Sequence, residues 1–201
     1  YENCLTEFDC LPNPLKRRSV IVYKNAEDYF NAGGVKGSIG CYLTESNVIL
    51  INARGPYLLE GILPHEITHL VITELCQDTF IPYGIQEGLA MLAERAPDRY
   101  RYGTIKDSYN DHRGRGGTIF DVEDLIIATI YPFKLSNVED KAAFYRQATS
   151  LVEYLTTKLG SKRSVVDFER EMVNAETDKE RLGILKKYGF KNGFNDLKGG
   201  W

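Results

Sequence analysis

No apolar run in this 201-residue chain approaches the ~18 residues that a membrane-spanning helix needs. There is no internal repeat and no low-complexity segment. No strong charge of either sign is present: 25 Lys and Arg against 28 Asp and Glu leave a formal net charge of −3. That balance gives no footprint for nucleic acid or for an anionic membrane. The one basic cluster, Lys16-Arg17-Arg18, is short and reads as a solvated entry to a strand. No signal peptide is visible, and a start at Tyr1 rather than Met is what removal of a leader or another N-terminal region would leave. Cysteine is limited to Cys4, Cys10, Cys41 and Cys76, an even count with three possible pairings and room for two disulfides. Cys4 and Cys10 lie in a segment with little core of its own. This favours an exported protein (periplasmic, cell-surface or secreted) with at least one bridge over a cytoplasmic protein with reduced thiols. Histidine is scarcer still, at three residues.

What is present is ordinary for a soluble globular protein: 43% hydrophobic and 26% charged residues. The length fits one domain, or at most two small ones, with enough chain to bury a core. Residues 1–15 carry two prolines and two cysteines and read as part of an irregular arm, residues 1–17. Arg18 to Tyr23 is β-branched and aromatic and predicts a strand. Asn25 predicts the cap of a short helix from Ala26 to Ala32, stopped by Gly33-Gly34. Ser38 to Leu43 and Val48 to Asn52 predict two strands of a hairpin about a polar turn. From Tyr57 to Cys76 the apolar residues Leu59, Ile62, Leu63, Ile67, Leu70, Val71 and Leu75 recur at helical spacing. Pro64 then either starts that helix or kinks it. A second helix spans about Ile85 to Arg95. The polar stretch 97–117 predicts the longest loop, a surface excursion or a rim beside a cleft. Helices follow at Asp121 to Ile130, Val138 to Leu159, Ser164 to Asn174 and Asp178 to Tyr188. The longest of these carries a stripe of Phe144, Ala148, Leu151, Val152, Leu155 and Leu159, and Gly160 closes it. A β-rich part, 18–55, followed by a helical part, 57–201, predicts the α+β class.

Two of the three histidines fall in His65-Glu66-Ile67-Thr68-His69. Positions i and i+4 of a helix share a face, about 5–6 Å apart at Cβ, so two neutral imidazoles there can hold one Zn²⁺. Glu66 projects near the same face and can handle a proton of a bound water. A catalytic zinc site takes a third protein ligand. The metzincin extension is absent, because Ile72 and Leu75 stand where it needs glycine and histidine. His112 is the remaining histidine and sits in the polar loop. Glu87 is the better candidate. Residues 70–86 separate it from His69, enough for a helical hairpin, and small Gly88 and Ala90 allow close approach. A glutamate in that apolar run is costly to bury without a partner. Cys41 is the alternative: peptide deformylases pair a cysteine in a glycine-containing strand motif with an HExxH helix. The residues around Cys41 do not continue that likeness, and a buried or bridged cysteine is the simpler reading. Glu94 is a candidate to orient a zinc-bound histidine, with a solvated carboxylate the simpler reading.

The segment Leu63-Pro64-His65-Glu66-Ile67-Thr68-His69-Leu70 resembles the motif helix of the gluzincins, zinc metallopeptidases with a downstream glutamate ligand. Within them, the chain looks like the peptidase MA-like group found largely in exported bacterial proteins. Ile81-Pro82-Tyr83-Gly84-Ile85-Gln86-Glu87-Gly88-Leu89-Ala90 is similar to that group's P-x-W-[LI]-x-E-G-[LI]-A stretch, with Gly84 in place of the usual tryptophan. Phe144 to Leu155 resembles its tyrosine-bearing helix, loosely in the first half. The likeness covers roughly residues 18–200 and implies one zincin-like metallopeptidase domain over 18–201. It implies Zn²⁺ held by His65, His69 and Glu87, with Glu66 as general base. It implies a tyrosine donor for the oxyanion, by position Tyr145, with Tyr83, Tyr131 and His112 as substitutes. It also implies that Ser38 to Leu43 is an edge strand holding an extended peptide. The expected partner is a peptide or protein substrate. Two other classes compete: a catalytically silent zinc-binding or interaction domain, and a zinc amidase acting on a small substrate. Oligomeric state is not legible in the sequence.

Overall fold

The structure is a computed structural model and describes residues 6–8, 18–53, 58–76, 79–94, 118–127, 135 and 138–201. Cys4, Cys10, His112, Tyr131 and the polar stretch 97–117 lie outside these residues. The architecture is α+β: a three-stranded mixed sheet followed by a mostly helical remainder.

The β-branched run gives strand β1, Ser19–Tyr23. Asn25 caps helix α1, Ala26–Asn31, its Oδ1 accepting from the Asp28 amide at 2.9 Å. Strands β2, Gly40–Leu43, and β3, Val48–Asn52, pair antiparallel, with Gly40 opposite Ile51 and Leu43 opposite Val48. The turn between them needs a left-handed residue, and Asn47 takes it at φ 55°. The Tyr42 hydroxyl donates to Asn47 Oδ1 at 3.0 Å and fixes that side chain. β1 pairs parallel with β3, so the sheet order is β1-β3-β2 with β3 central. β3 has a neighbour on each side and reads accordingly as an apolar run, with Ile49, Leu50 and Ile51 buried. Among the described residues β2 is an edge strand, as the resemblance implied.

A π-helical turn, Leu58–Ile62, runs directly into helix α2, Leu63–Cys76. Pro64 has no N–H to close a normal turn, and its ring crowds the turn before it. The wider π turn makes room, so the helical chain runs on through the proline without a break. The extra residue also shifts the helical phase. Leu59, expected on the buried stripe, is 71% exposed, while Ile67, Leu70 and Val71 stay in the core. Helix α3, Tyr83–Ala93, packs back on α2. Helices α4, Val122–Ile126, and α5, Val138–Leu159, lie against α3. The α5 stripe is buried from Phe144 to Leu155 as the spacing predicts. Helices α6, Lys162–Asn174, and α7, Asp178–Lys187, follow, the second closed by a capping box of Thr177 and Glu180.

Four features depart from the sequence expectation. A last helix, α8, Phe194–Gly200, was not visible because Gly199 and Gly200 have poor helix propensity. Contacts to α5 hold it: Leu197 is buried, and Trp201 Nε1 donates to Ser150 Oγ at 2.8 Å. Within the expected irregular arm, residues 6–8 form a helical turn. Phe8 is fully buried in the core, and Glu7 pairs with Lys162 at 2.5 Å. Arg18, expected to be solvated, is instead paired with Glu74 of α2 and is only 12% exposed. Cys41 and Cys76 are free thiols, so the two-disulfide framework is not formed.

Glu169 of α6 is fully buried, and neither carboxylate oxygen has a hydrogen-bond partner among the described residues. Burial alone raises its pKa well above the ordinary 4.5. The folded state therefore retains a proton that the unfolded chain releases. Its stability contribution is full below the unfolded pKa and is lost as pH rises toward the folded one. Glu169→Met removes that penalty. It is expected to raise stability by about 1–3 kcal/mol at pH ~8, with the gain shrinking toward pH ~4.5. Urea unfolding at both pH values reads this, and a variant no more stable than the parent at the higher pH contradicts it.

Candidate metal centre

His65 and His69 stand one turn apart on α2, with ring centroids 5.0 Å apart and planes inclined at 65°. Glu87 reaches them from the second turn of α3 and is 4% exposed. Its Oε2 lies 3.2 Å from His65 Nε2 and 3.7 Å from His69 Nε2. One donor atom from each residue falls within 4.8 Å of the others, the one such His/Cys/Asp/Glu group among the described residues. A tetrahedral site with bonds near ~2.1 Å has edges of about 3.4 Å, close to both nitrogen–oxygen spacings. Among the described residues, buried Glu87 Oε2 meets no donor in hydrogen-bonding geometry, the costly arrangement that a cation resolves. The His-His-Glu group is positioned to bind a metal ion.

Two glycines let α3 bring Glu87 there. A side chain at Gly84 would run into the Leu125 carbonyl of α4, and one at Gly88 into the Ala148 carbonyl of α5. Gly84, where the resembled pattern has tryptophan, is thus required by the backbone of α4. The two lie one turn apart and flank Glu87, so backbone packing on both sides sets the position of the carboxylate.

Electrostatics tie the group together. Burial opposes charge on Glu87, but the neighbouring imidazoles, His69 foremost, outweigh it and hold the carboxyl well below its usual range. Burial also opposes charge on His65, yet Glu87 and Glu94 beside it push its pKa well up. For Glu66, burial raises the pKa, and the adjacent histidines only partly reverse this. Glu66 is 6% exposed and is not among the three gathered donors.

Glu94, the C-cap of α3, is not solvated as the simpler reading had it: its Oε1 lies 2.8 Å from His65 Nδ1. A proton on Nδ1 donated to Glu94 leaves the Nε2 lone pair facing Glu87 and the metal position. The spacing of seven residues from Glu87 is two helical turns on one face, a signal the sequence did carry. Glu94→Ala is expected to weaken metal binding about 10–100-fold. Competition with a chromophoric chelator measures this, and unchanged affinity contradicts the role.

Cys41 is not one of the gathered donors. Burial raises its thiol pKa, with the Tyr29 hydroxyl opposing that rise. Tyr145 lies on α5, half-buried, its ring edge-on to Phe144 with centroids 5.9 Å apart. It is one turn before Ala148, whose carbonyl faces Gly88 beside Glu87. Tyr83 is one turn before Glu87 on α3, with its ring 5.3 Å from Phe80. One residue at the site and one outside it were not singled out from sequence. Gly40 of β2 abuts the Glu66 carboxylate. Buried Gln147 of α5 clamps the chain after the polar stretch, accepting from the Phe120 amide and donating to the Thr118 carbonyl, both at 2.9 Å. No family model, curated protein or solved structure matches the chain. The gluzincin resemblance therefore rests on the motif residues, with which the His65–His69 spacing is compatible.

Proposed function

We propose that the chain is a zinc-dependent metallopeptidase of zincin-like fold. The observation that carries the reading is the His65-His69-Glu87 triangle with the Glu66 carboxyl beside it but outside it. A purely structural metal site has no use for a nearby free carboxyl. Zinc suits the donor set of two imidazoles and one carboxylate with a position left for water, and when bound it supplies Lewis acidity toward a water and a carbonyl.

Each remaining step belongs to a side chain. Glu66 takes a proton from the attacking water and delivers it to the leaving amine. Burial raises its pKa, the direction that favours holding the proton between the two transfers. Glu94 holds the His65 ring in the tautomer that presents Nε2. β2 pairs only with β3 among the described residues, and its other side is available to an extended peptide through main-chain hydrogen bonds. Tyr145 is the proposed donor to the developing oxyanion, being carried by α5 past the Glu87 turn of α3.

Incubation with an internally quenched peptide library tests the reading. Cleavage is expected, to be lost with a metal chelator and restored by stoichiometric zinc. A zinc-loaded protein that cleaves nothing supports the silent-domain alternative instead.

A further inference from the structure

We propose that Gly40 is a positioning residue for Glu66: the bare backbone of β2 forms a wall that holds the carboxylate in its working place. This rests on the reading of Glu66 as general base. A Cβ at position 40 would lie 2.7 Å from Glu66 Oε1, 3.0 Å from its Cγ and 2.8 Å from Ile62 Cγ2. Such distances require something to shift, and the backbone of β2 is poorly able to do so. Gly40 is in register with Ile51 of β3, and the Asn52 amide donates to the Ile39 carbonyl at 2.7 Å. On the other side, the hydroxyls of Tyr29 and Ser38 lie 2.7 Å apart, and Ser38 Oγ donates to the Val35 carbonyl at 2.9 Å. Tyr29 is itself fully buried, with Gly34 directly against its ring. The segment 38–41 is thus fastened by β3 and by α1, and an added methyl is absorbed by the flexible ends of Glu66 and Ile62.

The donors gathered for the metal include neither residue. Gly40→Ala therefore displaces the base and leaves the metal site assembled. The expected result is one equivalent of metal retained, KM little changed, and kcat lower by about 10-fold or more, as for a catalytic group misplaced by a fraction of an ångström. A displaced strand alone would affect every variant equally, so the discriminating measurement is a double-mutant cycle with Glu66→Asp. Aspartate withdraws the carboxylate by one methylene. In that background Gly40→Ala is expected to lower kcat by no more than about 2-fold. Equal fold losses in the two backgrounds, or no loss in the parent, overturn the proposal. A crystal structure of the Gly40→Ala protein reads the positioning whatever the activity. The Glu66 carboxylate is expected to move while His65, His69 and Glu87 superpose, and an unmoved carboxylate overturns the inference. If the parent cleaves no peptide yet the carboxylate moves, the peptidase reading fails and the contact stands. Should Gly40→Ala not fold, Gly40→Ala/Ile62→Ala relieves the second contact and carries the same measurements.

Discussion

Glu66→Gln keeps the metal and lowers peptide hydrolysis by roughly 10²–10⁴-fold, the usual contribution of a general base. The amide has the size of the carboxyl and no basicity. Glu66 stands outside the donor triangle, so the metal content of the variant is expected to equal that of the parent. The substitution also removes a carboxyl that burial makes costly to ionise, so the variant should fold at least as well. Steady-state rates paired with metal analysis on one preparation give both numbers. Activity surviving with metal in place would remove Glu66 from the mechanism. Loss of activity together with loss of metal would make Glu66 part of the metal site rather than its proton carrier.

Glu87→Ala acts on the metal itself. Removing the carboxylate leaves two imidazoles 5.0 Å apart at their centroids and a cavity in place of the third donor. Loss of a residue that only orients a ligand costs about 10–100-fold in affinity, so loss of the ligand itself is expected to exceed ~10²-fold. His65 also loses one of the two carboxylates that raise its pKa. Cys41→Ser is the matched control. Its thiol is not among the gathered donors, so metal content should not change. Equilibrium dialysis against zinc separates the two variants. If Cys41→Ser loses metal and Glu87→Ala keeps it, the third ligand has been misassigned.

The sequence made the donors legible because helix geometry is local. An i, i+4 pair shares a face wherever it sits, and a glutamate within an apolar helix needs a partner. The hairpin of β2 and β3 and the span of α5 were legible for the same reason, since turn chemistry and apolar period are short-range signals. What was missed depends on packing between distant segments. The π turn before Pro64 rotated Leu59 out to solvent. Phe8 entered the core from a stretch rich in breakers, and Arg18 found Glu74 on another element. α8 forms against α5 despite its glycines. Glu94 is intermediate: its spacing from Glu87 was in the sequence, but its proximity to His65 depends on how α3 crosses α2. Gly40 has no side chain to announce a role, and only the approach of β2 to Glu66 reveals one.

The most direct measurement is the metal content of the protein purified without chelator, by mass spectrometry of the native protein and by elemental analysis. The account predicts about one equivalent of zinc, bound by a site that Glu87→Ala empties. Less than about half an equivalent, with none taken up when zinc is supplied, would contradict it.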